Sequence, residues 1–418
     1  MRIIMASRES DWRREAENSI LLKSVSHWRE KPERWFRGSY DRLPETVRVN
    51  PMSEEKDWVE SWLSGIGANR IPWFSGPGSA WEMPFERGSA EEEVKSLMAA
   101  LHETGRITRQ EAVSMLPVLA LDPTPGQIIL DLCASPGSKT TQICEHLGDS
   151  GAVIANEVIS GRVNTLVTNV QRHASRAVLV VQHDGRHMPR VPGSGFDGVL
   201  VDVPCTGSGT TRKNPDVWGK WRPSSGRSLH SLQYDLLSRA IELTKPGGRV
   251  VYSTCSLDPI ENEAVVARVV AGGKVRVVPC GDSLSGVPSK PGMANWPLLN
   301  DRGELDTESE SEEYLLPTED KAVSSQLNDC LRVWNDEIGG GGFFLAVLER
   351  IMEEDVSGSI DPFPSQKTFD DPESFPQPID EERERELREI WGSVPTNIWS
   401  RGKSLLWSSD EIREIWGA

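Results

Sequence analysis

Two cysteines stand where chemistry could be done. Cys205 lies in Val199-Leu-Val-Asp202-Val-Pro204-Cys205-Thr-Gly-Ser-Gly209 and Cys255 in Val250-Val-Tyr-Ser-Thr254-Cys255-Ser256. Each run opens with apolar residues of strand character, and each thiol follows at the carboxyl end, beside Pro, Gly or Ser. An inert cysteine more often sits inside an element as a small hydrophobe. Thiols at strand ends, one of them three residues after Asp202, suit covalent catalysis by a thiolate with an acid at hand.

A third stretch reads as a ligand loop. In Ile128-Ile-Leu-Asp-Leu-Cys133-Ala134-Ser135-Pro136-Gly137-Ser138-Lys139-Thr-Thr141 a short apolar strand turns at Ser135-Pro136-Gly137, and a helical pattern opens at Ser138. Such a junction offers backbone N–H groups and the positive end of a helix to a ligand. The spacing of a nucleoside-triphosphate loop, G-x-x-x-x-G-K-[ST], is absent, and so is G-x-G-x-x-G. A nucleoside cofactor without a long phosphate chain remains, and S-adenosylmethionine is its natural candidate.

A methyl donor beside thiols narrows the reaction. Carbon 5 of a pyrimidine is too weak a nucleophile to take a sulfonium methyl while the ring is aromatic. A thiolate adding at carbon 6 makes an enamine-like intermediate that can take it, and loss of a proton with expulsion of the thiolate restores the ring. Asp202 would bind N3 or the exocyclic amine of cytosine and hold the developing charge. A thiol of pKa about 8.5 is only a few per cent ionised at neutral pH, so its surroundings must favour the thiolate, and Lys139 is the candidate cation.

The elements that must position these residues alternate. Strands are expected at 128–133, 153–157, 178–182, 198–203, 248–254, 274–278 and 343–348, with helices at about 138–147, 161–173, 229–244 and 260–270. This is an α/β pattern, a seven-stranded doubly wound sheet of Rossmann-like type. Thr108 and Glu111 read as a capping box for a helix running to Pro117. Residues 1–95, holding seven of the fifteen tryptophans, are expected to form a smaller N-terminal accessory domain, 96–350 the catalytic domain, and 351–418 an acidic, Pro-rich linker with a Trp-containing extension. Residues 281–325 lack a period and read as a surface insertion, and Gly339–Gly342 as a lead into the last strand.

The net charge is −17, but 301–330 (2 basic, 10 acidic) and 351–390 (4 basic, 13 acidic) hold all of it. A local basic face for an anionic polymer is therefore compatible with the composition, with Arg212, Lys213, Lys220 and Arg222 as candidates. The six cysteines form no C-x-x-C pair and no metal set, which suits a reducing compartment. The N-terminus has no apolar core long enough for a signal peptide, and no run approaches a membrane span. A cytoplasmic, monomeric protein without a metal is expected.

The three stretches, together with Arg106–Pro117, Arg212-Lys-Asn-Pro-Asp-Val-Trp218 and Gly341-Gly-Phe-Phe344, resemble the motifs of the RsmB/NSUN family of RNA cytosine-5 methyltransferases, across about residues 30–350. The Arg212–Trp218 stretch and Asn262–Val265 are most similar to its tRNA-modifying branch. The resemblance implies a class I methyltransferase fold, RNA, most of all tRNA, as partner, Cys255 as nucleophile and Cys205 as an aid to product release. It implies cofactor contacts at Cys133 to Lys139, Glu157, Asp184 and Asp202. Glu157 ends a strand where ribose hydroxyls would lie, and Asp184 follows one where an adenine amine would need an acceptor. A DNA cytosine methyltransferase, in which Cys205 would be the nucleophile, is disfavoured by the second strand-end thiol.

Overall fold

The computed structural model describes residues 13–148, 150–307, 312–351 and 376–416. The extreme N-terminus, four acidic-insertion residues and most of the acidic, Pro-rich linker lie outside the described residues.

The N-terminal part holds an antiparallel sheet of β1 (Pro44–Val49), β2 (Asn69–Arg70), β3 (Ser79–Glu86) and β4 (Ile107–Arg109), in the order β2-β3-β1-β4. Its last strand comes from beyond residue 95. The helices Lys56–Gly65 and Glu92–Glu103 cover it, and Val47, Val49, Val59, Leu63, Trp81 and Met98 form its core. The expected capping box is not made: Thr108 belongs to β4, pairing with Arg48, and only a 3-10 turn starts at Ala112. Pairing along β1 outweighs the local side-chain cap.

The main sheet is built from β5 (Ile128–Asp131), β6 (Ala152–Asn156), β7 (Val178–Val181), β8 (Phe196–Asp202), β9 (Thr244–Thr254), β10 (Val275–Val278), β11 (Lys290–Pro291), β12 (Leu331–Val333) and β13 (Phe343–Arg350). The order is β11-β12-β13-β9-β8-β5-β6-β7, with β10 also on β13. The strands β5 to β9 are parallel to their neighbours, and β13 runs against β9. Alternate residues face opposite layers. Leu130, Val199, Val201, Val250 and Tyr252 pack with Leu236, Leu237, Ala240 and Val265 of the helices Pro223–Leu243 and Glu263–Ala271. Ile129, Leu200, Val251 and Val347 pack with Val118, Leu119, Ile143 and Leu147 of the helices Leu116–Leu121 and Ser138–Leu147. Burial on both faces is why these strands read as nearly continuous apolar runs. The strand order reverses between β5 and β8, the place where such sheets bind ligands at the carboxyl edge.

Nine strands stand where seven were expected. The two extra ones, β11 and β12, pair with each other, β11 lying inside the stretch read as a loose insertion and β12 just after it. Part of that stretch is packed: Trp296, Leu298, Leu299, Leu315 and Val323 are buried. Single apolar anchors on short turns leave no period to read. The helices Ile20–Trp28 and Pro32–Gly38 lie on the catalytic side, Trp28 against Trp221 and Trp35 against Trp218 at centroid separations of 5.7 and 5.5 Å. At the C-terminus, β14 (Gln377–Pro378), β15 (Ile398–Arg401) and β16 (Ser404–Trp407) form a small sheet, Trp399 is buried, and Trp391 and Trp407 are half exposed. The helix Asp410–Trp416 docks on the main core through Ile412 and Ile415.

Candidate active site

The register of β8 on β9 sets Asp202 beside Ser253, so the chains leaving both strands carry Cys205 and Cys255 past the same edge. Their sulfur atoms lie 3.2 Å apart. The Cys255 turn is braced by a close backbone crossing: Gly209 N donates to Cys255 O (2.9 Å) and Gly342 N to Gly209 O (2.8 Å). A methyl group at Gly209 would run into the Gly342 carbonyl, so the Gly339–Gly342 run supports the site by allowing that approach.

Lys139, in the first turn of Ser138–Leu147, reaches across from the ligand loop. Its Nζ donates to Asp202 Oδ2 (2.7 Å) and Ser114 Oγ (2.9 Å), and Ser253 Oγ donates to Asp202 Oδ1 (2.7 Å). Burial works against the Lys139 charge, yet Asp202, Asp131 and the Cys255 sulfur around it raise its pKa above the usual value. The contact with Cys255, and burial after it, push the Cys205 thiol well up. Glu111 is set against the same region: its Oε1 accepts the Gly341 N–H at 2.9 Å, and burial raises its pKa.

Lys139, Ser114, Asp202, Glu111 and Cys255 share a cavity of about 380 Å³, which Cys205 and Ser253 do not line, walled on one side by Pro136 to Lys139, Asp202, Cys255 and Phe343, and on the other by Pro44 to Thr46 and Thr108 to Glu111. Ser114, Ser253 and Glu111 escaped the sequence reading. Ser253 had a signal, its place two residues before a strand-end cysteine, whereas Glu111 and Ser114 act through contacts with distant segments.

The loop is held from behind. Ala134 N donates to Asn156 O (2.8 Å), Asn169 Nδ2 to Pro136 O (2.6 Å), and Ser135 exchanges bonds with Arg162. Gly137 has φ 108°, and a Cβ there would meet Leu166 at 2.9 Å. Burial pushes the Cys133 thiol far up, keeping it protonated. Asp131 accepts from Thr140 Oγ1 (2.6 Å), its other oxygen is buried without a partner, and burial raises its pKa to about 7. Glu157 is buried and accepts the Ile159 N–H (2.8 Å). Asp184 is partly exposed and gripped by the Arg186 guanidinium, which holds its pKa down to about 2. Neither Glu157 nor Asp184 lines the cavity, although both lie on the chain just after β6 and β7.

The basic residues divide. Arg212 donates to the carbonyls of Asp41, Arg42 and Gly340, Lys220 pairs with Asp216, and Arg222 donates to the carbonyls of Gly219 and Trp221. Lys213 lines the cavity. Among the described residues no group of three or more His, Cys, Asp or Glu is placed to hold a metal, and no helix is long and apolar enough to cross a membrane.

Residues 118–288 match the family described as 16S rRNA methyltransferase RsmB/F. Ribosomal RNA small subunit methyltransferase F of Escherichia coli O127:H6 is 34% identical over 378 residues, covering 87% of this chain and 68% of that protein. The chain belongs to the RsmB/F methyltransferase family. A second relative, the multisite-specific tRNA:(cytosine-C(5))-methyltransferase of Saccharomyces cerevisiae, is 37% identical over 314 residues, 68% of this chain. The chain spans 45% of the length of that yeast protein. Among solved structures, a methyltransferase homologue from Pyrococcus horikoshii superposes with a TM-score of 0.59 at 27% identity, over 79% of this chain and 93% of that one. The α/β sheet is thus that of class I methyltransferases.

Proposed function

We propose that the protein methylates carbon 5 of cytosine in RNA, with tRNA as the substrate class, acting as a cytoplasmic monomer through a covalent cysteine adduct. The observation that carries this reading is the pair of sulfur atoms 3.2 Å apart in the company of the Lys139–Asp202 ion pair. The names of the yeast and E. coli relatives support RNA as substrate, and the yeast one supports tRNA and carbon 5.

The loop residues fit S-adenosylmethionine. Gly137 takes the left-handed conformation that turns the chain into the helix Ser138–Leu147, and Asp131, at the end of β5 before the loop, keeps one buried oxygen without a partner. Cys133 to Lys139, Glu157, Asp184 and Asp202 would hold it, with Arg186 yielding Asp184 to the adenine amine. When bound, it supplies an electrophilic methyl group to carbon 5.

The chain's own residues do the rest. The base leaves its stack to enter the cavity. Cys255 adds to carbon 6 as its thiolate, with the Lys139 ammonium among its neighbours. Asp202, oriented by Ser253 and Lys139, accepts from the exocyclic amine, and the Lys139 ammonium steadies the negative charge that the addition places on the ring. After methylation the carbon-5 proton leaves to solvent and its bonding electrons rebuild the C5–C6 double bond. The C6–S electrons return to Cys255, whose sulfur is met by the Cys205 S–H.

The test is a pair of variants incubated with S-adenosylmethionine and RNA, then run on denaturing gels. Cys255→Ala should abolish 5-methylcytosine and form no adduct. Cys205→Ala should accumulate a methylated RNA adduct through Cys255. An adduct in Cys255→Ala alone would exchange the roles and favour a DNA-type mechanism, and turnover in both without adducts would refute the covalent mechanism.

A further inference from the structure

The residue after each cysteine, Thr206 and Ser256, bonds to one and the same carboxylate. Glu261 is fully buried, and four donors converge on it. Its Oε1 accepts from Thr206 N (2.9 Å) and Gln233 Nε2 (3.0 Å), and its Oε2 from Thr206 Oγ1 (2.5 Å) and Ser256 Oγ. Burial raises the Glu261 pKa while the bonds from Ser256, Thr206 and Gln233 work to lower it, and as a carboxylate it accepts from every one of them. Trp221 Nε1–H donates to Thr206 Oγ1 (2.9 Å), which leaves that hydroxyl proton for Glu261. Leu257 N–H donates to Ser208 Oγ (2.7 Å), Ser208 then donates to Ser256 Oγ (3.0 Å), and Ser256 passes its own proton to Glu261. Asp258 is the neighbouring carboxyl that keeps a proton, since burial and the Glu261 charge push its pKa up to about 8.

Burying a carboxylate is costly, and an apolar side chain could fill the same space. What a carboxylate adds here is a single acceptor shared by two loops that otherwise belong to different strands. We infer that Glu261 is a positioning residue that holds the Cys205 sulfur against that of Cys255, and so sets the rate at which the covalent RNA adduct is released. The inference about release rests on the proposed methyltransferase reaction; the inference about sulfur placement does not.

Two arms separate these. Diamide takes one hydrogen from each thiol, becoming a hydrazine while the sulfurs join, and it does so fastest where the thiols are already in contact. Cys205 and Cys255 of the wild type should couple quickly, and Glu261→Gln, which sets an amide NH₂ among converging donors, should slow this by about tenfold or more at an unchanged denaturation midpoint. In the second arm, single-turnover methylation should proceed near the wild-type rate in Glu261→Gln while the adduct persists. Combined with Cys205→Ala, the substitution should add nothing further to adduct lifetime, as expected for one pathway. Should Glu261→Gln fail to fold, Thr206→Val decides, since it cuts the bond on the Cys205 side and keeps the shape. Wild-type diamide kinetics in the variants, or effects on release that add to those of Cys205→Ala, would overturn the inference. Slow coupling together with a wild type that makes no 5-methylcytosine would retain the placement and sink the reaction.

Discussion

The helix Ser138–Leu147 takes part in two ion pairs, one sealed and one open to the cavity, and they are built differently. Near its far end Glu145 is met by Arg48 of β1 in a two-pronged contact, Nε to Oε2 and Nη2 to Oε1, both at 2.8 Å. Arg48 spends two more of its five donors on Ser138 O and Thr141 Oγ1, and His173 Nε2 lies 3.3 Å from Glu145. Both side chains are sealed, at 0% and 1% exposure. At the near end Lys139 and Asp202 touch through one contact and keep 13% and 28% exposure toward the cavity. Lys139 has a third N–H beyond those on Asp202 and Ser114, and each Asp202 oxygen has a second lone pair. A pair whose donors and acceptors are consumed can only hold the N-terminal sheet to the main one. A pair with capacity to spare can change partners when a base arrives.

The sharpest way to break this comparison is to remove one charge from each pair in turn. Arg48→Ala leaves Glu145 buried with only His173 beside it and should cost about 3–5 kcal/mol in urea denaturation, with methylation per folded molecule retained. Asp202→Asn keeps the shape but loses the charge and turns an amide NH₂ toward Lys139 or Ser253. It should lower the methylation rate by about 10²–10³-fold, some 2.7–4 kcal/mol of transition-state stabilisation, with a denaturation midpoint close to wild type. If Arg48→Ala abolished turnover at unchanged stability, the two pairs would have to trade roles.

Acid separates the pairs further. Burial opposes the Glu145 charge, but Arg48 and His173 outweigh it and bring its pKa down from 4.5 to about 2. A folded pKa below the unfolded one stabilises fully above about pH 4.5 and is lost as pH falls toward 2. Lys139, raised instead, stabilises below its unfolded value and loses that only in strong alkali. Wild type should therefore lose stability between pH 5 and about 2 more steeply than Glu145→Gln, measured by denaturation midpoints. Parallel curves would show that the sealed pair is not linked to acid unfolding.

Much of the main sheet was legible because strand and helix periods alternate and each strand is buried on both faces. The loop at Cys133–Ser138 and both strand-end cysteines announced themselves by Pro and Gly beside apolar runs, and the structure brings Cys205, Cys255, Asp202 and Lys139 together. What stayed hidden depends on partners far off in the chain. Arg48 reads as one more charge in a strand, and its ion pair with Glu145 spans 97 residues. Thr108 and Glu111 fit a helix start locally, and only the pairing of β4 with β1 shows otherwise. Glu261 looks like a solvated charge in Pro-Ile-Glu-Asn-Glu until Thr206 and Ser256 are seen to converge on it.

The smallest expected effect concerns the cations around the cavity, where the same contrast between consumed and spare donors applies. Arg212, Lys220 and Arg222 were equal candidates for an RNA face by sequence, but their donors go to backbone carbonyls or to Asp216. Lys213 is exposed and lines the cavity that holds Cys255. A phosphate contact releases counterions in proportion to the charge neutralised. Lys213→Gln should therefore lower the slope of log affinity against log salt by about 0.7–0.9, while Lys220→Gln should leave it unchanged. Because Lys213 lies at the mouth rather than on the reacting base, the change should appear in RNA affinity and KM, with kcat at saturating RNA near wild type. A slope moved by Lys220→Gln and not by Lys213→Gln would show that a cation already paired in the free protein is released to RNA, and that spare donors do not mark the binding face.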